Sequence, residues 1–208
     1  IGYFPEWGVY GRNYFAADLA TYMPKLTHLQ YAFINLDASG TCKLYDAWAA
    51  DEKPGKAPYT QPGNLRQLKA MRDAVSPSTK LVLSVGGWTL SEYFSDVAAD
   101  PSKRATMIST CMALLTKYGW DGIDIDWEYP VQGGENGNNA AYHDDADGAN
   151  LVTLLSELRT ALGQSKVLSL AMGAGEDKFR HIPMAQIAQY ANFISPMTYD
   201  FNGAWQNE

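Results

Sequence analysis

The stretch from Asp121 to Tyr129 alternates acids with large apolar residues: Asp124, Asp126 and Glu128 against Ile123, Ile125 and Trp127. Successive side chains on a β-strand point to opposite faces, so the three acids share one side, roughly 7 Å apart at each step. A buried row of like charges is costly, and at least one of these groups is expected to hold a proton near neutral pH. That is how a protein keeps a carboxylic acid ready to donate. The alternative is a solvated edge strand, and Ile-Asp-Ile-Asp-Trp-Glu is too β-prone and too aromatic for one.

Acids in this arrangement need a rigid frame, and β-rich runs alternate with helical patterns along the whole chain. The strand candidates are Ile1–Phe4, Leu26–Leu36, Lys80–Val85, Gly122–Glu128, Val167–Met172 and Asn192–Thr198. Asn64 reads as the cap of a helix carrying Leu65, Leu68, Met71 and Val75. Asp100-Pro101 reads as an N-cap followed by proline, with Gly119 closing that helix. Leu151, Leu154, Leu155, Leu158 and Leu162 form a core-facing stripe ended by Gly163. This alternation implies parallel strands with helices outside. No Gly-x-Gly-x-x-Gly opens the first unit, so a dinucleotide fold has no support. Trp7, Asn35, Trp88, Glu128, Asp200 and Trp205 instead collect just after strands, where (β/α)8 TIM barrels carry their sites. About six of the eight β/α units are visible in one domain, 1–208, which reads as truncated before units seven and eight.

Composition narrows the partners. The 208 residues are 46% hydrophobic, enough for one substantial core, and the net charge of −7 argues against nucleic acid or an anionic membrane surface. No run reaches the length of a membrane span. Thirteen Tyr and six Trp are more than such a core usually takes and suit platforms for sugar rings. His28, His143 and His181 have no ligand spacing, so neither a metal nor another cofactor is expected. Asp144, Asp145 and Asp147 lack calcium-loop spacing and read as a solvated acidic loop within the irregular stretch 131–149. Cys42 and Cys111 could pair, but their spacing leaves this open. Residue 1 already reads as strand, not as a secretion signal, which suggests a mature or trimmed chain.

The form Asp-x-x-Asp-x-Asp-x-Glu resembles the signature of family 18 glycoside hydrolases, the chitinase family. Ser84-Val85-Gly86-Gly87-Trp88 and Met197-Thr198-Tyr199-Asp200 are similar to two further family segments, and Gly2-Tyr3-Phe4 with Trp7 looks like its first strand. The Tyr10-Gly11-Arg12-Asn13 and Tyr31-Ala32-Phe33 segments look most like bacterial members. The resemblance implies hydrolysis of β-1,4-linked N-acetylglucosamine polymers, endo-type and retaining, with the substrate's acetamido group as nucleophile. It makes Glu128 the acid and base, Asp126 the acetamido clamp, Asp124 its proton-sharing partner, and Tyr199 a donor to the acetamido oxygen. Tyr3 and Ser84 would form a polar floor. Met197 would shape the pocket, Asp200 would contact substrate or buttress the site, and Trp88 and Trp205 would stack on sugars. Met172 and Gly173 are further lining candidates, and Asp121 is structural. Chitin and chito-oligosaccharides are the implied partners, with a secreted location and a monomeric state once the barrel is complete. The family's floor tryptophan comes from the eighth strand, beyond Glu208. Two other readings share the motif: an endo-β-N-acetylglucosaminidase acting on N-glycans, and a non-catalytic chitin-binding lectin. The presence of Glu128 counts against the lectin.

Overall fold

The computed structural model describes residues 1–135 and 146–203. Seven strands form one sheet: β1 (Gly2–Pro5), β2 (His28–Leu36), β3 (Cys42–Leu44), β4 (Lys80–Gly86), β5 (Gly122–Asp126), β6 (Val167–Gly173) and β7 (Phe193–Met197). Six of them run parallel in the order β1-β2-β4-β5-β6-β7, and β3 turns back antiparallel on β2. Sequential parallel order with helical crossovers is the arc of six consecutive units in a (β/α)8 barrel. β1 and β7 are the end strands of that arc.

Among the described residues seven α-helices follow one another: α1 (Ala16–Leu19), α2 (Asn64–Val75), α3 (Phe94–Ala99), α4 (Pro101–Tyr118), α5 (Asp147–Leu162), α6 (Glu176–Phe179) and α7 (Met184–Ile187). Leu81, Leu83 and Val85 of β4, Ile123 and Ile125 of β5, and Leu168 and Leu170 of β6 meet the helices in one continuous core. Leu151, Leu154, Leu155, Leu158 and Leu162 are the buried face of α5, as their spacing predicts. Trp127 continues the outward row of β5 and stacks on Phe94 with ring centroids 5.5 Å apart. The expected strands are all present, with boundaries moved by one or two residues. β2 begins at His28 and β5 ends at Asp126, so Trp127 and Glu128 lie just past the strand.

The caps divide. Asp100 accepts from the N–H groups of Ser102 and Lys103, Pro101 follows, and Gly119 closes α4 in the left-handed conformation. Asn64 is not a cap. Gly63 holds that position with φ 78°, and Asn64 instead turns inward, its amide donating to the Glu6 carbonyl at 3.3 Å. Cys42 opens β3. That strand is three residues long, too short to show a period, and its register follows from the turn in which the Asp37 carboxylate accepts from the N–H groups of Ser39 and Thr41. β3 brings Cys42 against α4, where it is disulfide-bonded to Cys111. Asp147 also departs from expectation. It is fully buried at the start of α5, accepting from the Ser95 hydroxyl at 2.6 Å and the Val131 N–H at 3.0 Å. His143, Asp144 and Asp145 lie outside the described residues.

Candidate active site

Register sets the site. Parallel pairing places Ala32 beside Ser84, Ser84 beside Asp124, and Asp124 beside Ser169, one level inside the barrel built from four strands. Asp124 is fully buried at its centre. Its Oδ2 accepts from Ser84 Oγ at 2.8 Å and from the Tyr3 hydroxyl at 3.2 Å, and its Oδ1 accepts from Ser169 Oγ at 2.6 Å. Gln30 on β2 donates to Ser169 Oγ at 3.0 Å and fixes that hydroxyl. Tyr3 and Ser84 thus both reach Asp124 and form part of a polar ring around it. Ser169 and Gln30 belong to it too, and the sequence reading missed both. The available signal was a polar residue on the inward register of an otherwise apolar strand.

Burial pushes Asp124 up, and the hydroxyls of Ser169, Ser84 and Tyr3 pull it back. Asp126, two residues on, has no such ring. It is 4% exposed, and burial drives it well above the ordinary carboxylate range, helped by the charges of Glu128 and Asp124. Its Oδ1 is buried and meets no donor among the described residues. Glu128 is also raised by burial, lowered by a hydrogen bond with Tyr129 and raised again by Asp200. The row therefore favours a bound proton, as a crowded set of carboxyls should.

The backbone beneath the acids is pinned from β4. Gly87 N–H donates to the Asp126 carbonyl at 2.7 Å, and Ser91 Oγ donates to the carbonyls of Gly87 and Asp126 while accepting from Glu128 N–H at 2.9 Å. Close approach explains the Gly-Gly pair. A Cβ on Gly86, at φ 108°, would fall 2.2 Å from the Asp126 carbonyl oxygen. A Cβ on Gly87, at φ 89°, would fall 2.7 Å from the Phe33 ring. No other residue type fits both positions.

Above the acids opens a cleft of about 1020 Å³ lined by Tyr3, Trp7, Phe33, Trp88, Asp126, Glu128, Tyr129, Lys178, Met197, Tyr199 and Asp200. Gly173, a weaker candidate, lines it as well, whereas Met172 does not. Trp88, 48% exposed, meets Tyr129 edge-on at 6.4 Å, and Trp7 stacks on Phe33 at 6.3 Å. Tyr199 is 62% exposed on the side of β7, its hydroxyl within the field of Asp126 and Glu128. Phe33, Tyr129 and Lys178 are cleft residues the sequence reading did not single out. Trp205 lies outside the described residues. Asp121 faces away from the cleft, bound by Arg72 and by Leu81 N–H at 2.8 and 2.9 Å. Among the described residues no group of His, Cys, Asp and Glu has metal-site geometry, and no helix is long and apolar enough to cross a membrane.

Known proteins with this arrangement are numerous. Residues 1–208 match the family described as "Glycosyl hydrolases family 18". Chitinase A1 of Niallia circulans is 37% identical over 246 residues, covering 99% of this chain and 34% of the relative. Endochitinase 1 of Metarhizium robertsii is 34% identical, covering 99% of this chain and 48% of the relative. The chain thus spans a third to a half of the length of these relatives. Among solved structures, chitinase ChiA74 from Bacillus thuringiensis superposes with a TM-score of 0.87 at 33% identity, covering 99% of this chain and 40% of that one. The Ostrinia furnacalis Group IV chitinase in complex with allosamidin gives 0.82 at 30% identity, covering 99% and 52%.

Proposed function

Because the chain belongs to family 18 of the glycosyl hydrolases, we propose that it forms the catalytic core of a chitinase that cuts β-1,4-linked N-acetylglucosamine polymers internally, with retention, using the substrate's acetamido group as nucleophile. The relatives are named as chitinases and endochitinases, which favours chitin over N-glycan cores or a binding-only role. One observation carries the mechanism. Asp126 Oδ1 is a buried acceptor without a donor among the described residues, at the base of a cleft whose mouth is aromatic. An acetamido N–H supplies that donor. Asp126 then orients the group and stabilises its positive charge as the carbonyl oxygen attacks the anomeric carbon. Glu128, at the strand end, gives its proton to the leaving glycosidic oxygen and later takes one from water. Tyr199 donates to the acetamido oxygen. Asp124, held by Tyr3, Ser84 and Ser169, takes up charge as Asp126 changes protonation.

Trp88 supplies a stacking face for sugars, and Met197 and Asp200 close the pocket around the acetamido group. We read residues 1–208 as six units of a single catalytic barrel domain, monomeric when its seventh and eighth units are present. The Cys42–Cys111 disulfide supports a secreted location, since such bonds persist in oxidising compartments.

The test is proton NMR of the first products from partly deacetylated chitosan, with the full-length enzyme. The expected result is N-acetylglucosamine at every new reducing end, released as the β-anomer. Glucosamine at those ends, or α-anomer at the start, would exclude participation of the acetamido group.

A further inference from the structure

One buried carboxylate takes no part in this chemistry. Glu6 follows β1 in the turn Glu6–Val9 and is 2% exposed, while its neighbour Trp7 faces the cleft and stacks on Phe33. Glu6 Oε2 accepts from the Tyr31 hydroxyl of β2 at 2.8 Å. Its Oε1 accepts from the N–H of Asp46, in the segment after β3, at 3.2 Å. Its backbone carbonyl accepts from the Asn64 amide at the start of α2. One residue therefore ties the Trp7 turn to three separate elements. The titratable groups acting on it are Tyr31 and Asp46, with Tyr10 behind, hydrogen-bonded to the Asp46 carboxylate, and none is a cation. The Asn64 amide also faces the Tyr31 hydroxyl, and its Oδ1 is buried without a donor among the described residues.

We propose that Glu6 is a positioning residue, a proton-binding clamp that seats the Trp7 platform against the barrel. In the clamped state Glu6 carries a proton, with its two oxygens in contact with the Tyr31 hydroxyl and the Asp46 N–H. On ionisation a buried carboxylate faces Asp46 with no cation to offset it.

The electrostatics agree in direction. Burial pushes Glu6 from an ordinary 4.5 up to about 7, with Tyr31 opposing and Asp46 assisting. A carboxyl raised in the fold stabilises it fully only below its unfolded value. That contribution is lost as pH climbs from 4.5 and is gone once pH passes about 7.

The clamp's kinetic consequence rests on the sugar-cleft reading above, but its titration does not. In the full-length enzyme, carboxyl ¹³C NMR, assigned by the resonance lost in Glu6→Gln, is expected to give Glu6 a midpoint near neutrality. Tyr31→Phe removes the donor that favours the anion and is expected to move the midpoint higher. Between about pH 5 and pH 8 the wild-type KM for a long chito-oligosaccharide is expected to rise roughly 2- to 5-fold beyond any change in Glu6→Gln, with no matching difference in kcat. A midpoint in the ordinary carboxyl range overturns the clamp, and so do parallel KM profiles for the two proteins. An enzyme that turns over no chito-oligosaccharide refutes the functional reading instead, and the titration still decides the clamp.

Discussion

At the residue scale the three acids are neighbours in sequence and differ because their surroundings differ. Asp124 is ringed by three donors, Asp126 has an oxygen that meets no donor among the described residues, and Glu128 meets solvent, Tyr129 and the field of Asp200. Glu128→Gln keeps shape and removes the transferable proton. We expect hydrolysis to fall by about 10²–10⁴-fold or more while oligosaccharide binding persists, measured by turnover and calorimetry in the complete enzyme. A variant retaining a tenth of wild-type turnover would assign the proton to another group. Asp200 holds the Glu128 proton on, so it raises the pH at which the acid is lost. Asp200→Asn removes that charge, lowers the Glu128 value, and is expected to move the alkaline limb of kcat/KM to lower pH. A limb that stays put or moves upward contradicts the coupling.

At the scale of elements, the β4 terminus holds the C-terminal end of β5 in place. Ser91 links two carbonyls to Glu128 N–H while itself 1% exposed. Ser91→Ala leaves a buried N–H without an acceptor, a loss of about 1–3 kcal/mol. We expect a lower Tm together with a reduced kcat, since the freed peptide carries the acid. An unchanged kcat at lowered Tm would make Ser91 a stabilising contact alone. Elements also mark where the sequence was legible. The acid row of β5 announced itself because two-residue alternation survives whatever packs against it, and the leucines of α5 did so through their helical period. β3 was hidden because three residues show no period. The Cys42–Cys111 bond depends on β3 and was hidden with it. Ser169 and Gln30 look like ordinary strand residues until register brings them to Asp124. Glu6 looks like a surface acid after a strand, and only its partners on β2, α2 and the β3 segment show it to be buried.

For the whole molecule, β1 and β7 each leave one side unpaired within the described residues. Parallel sheets are normally covered on both faces, and bare edges invite association. The disulfide closes a 69-residue separation and, on the chain-entropy account, adds roughly 4 kcal/mol, but it ties β3 to α4 and leaves both edges as they are. A polypeptide of residues 1–208 alone is therefore expected to associate or melt broadly. Its chito-oligosaccharide turnover should lie about 100-fold or more below that of the full barrel, near 3 kcal/mol in barrier. A monomer that melts cooperatively and works at full rate would show that six units suffice.

The ring around Asp124 draws one donor from β1, one from β4 and one from β6, with β2 bracing the last. No pair of adjacent strands contains it. A one-residue slip of β5 would turn Ile123 and Ile125 into the lumen and press the acids against the helices. On the proposed catalytic reading, activity during refolding is expected only once strands distant in the chain have met in correct register. Recovery of turnover during refolding then clocks the final docking of the sheet, and it should lag behind the return of helical signal.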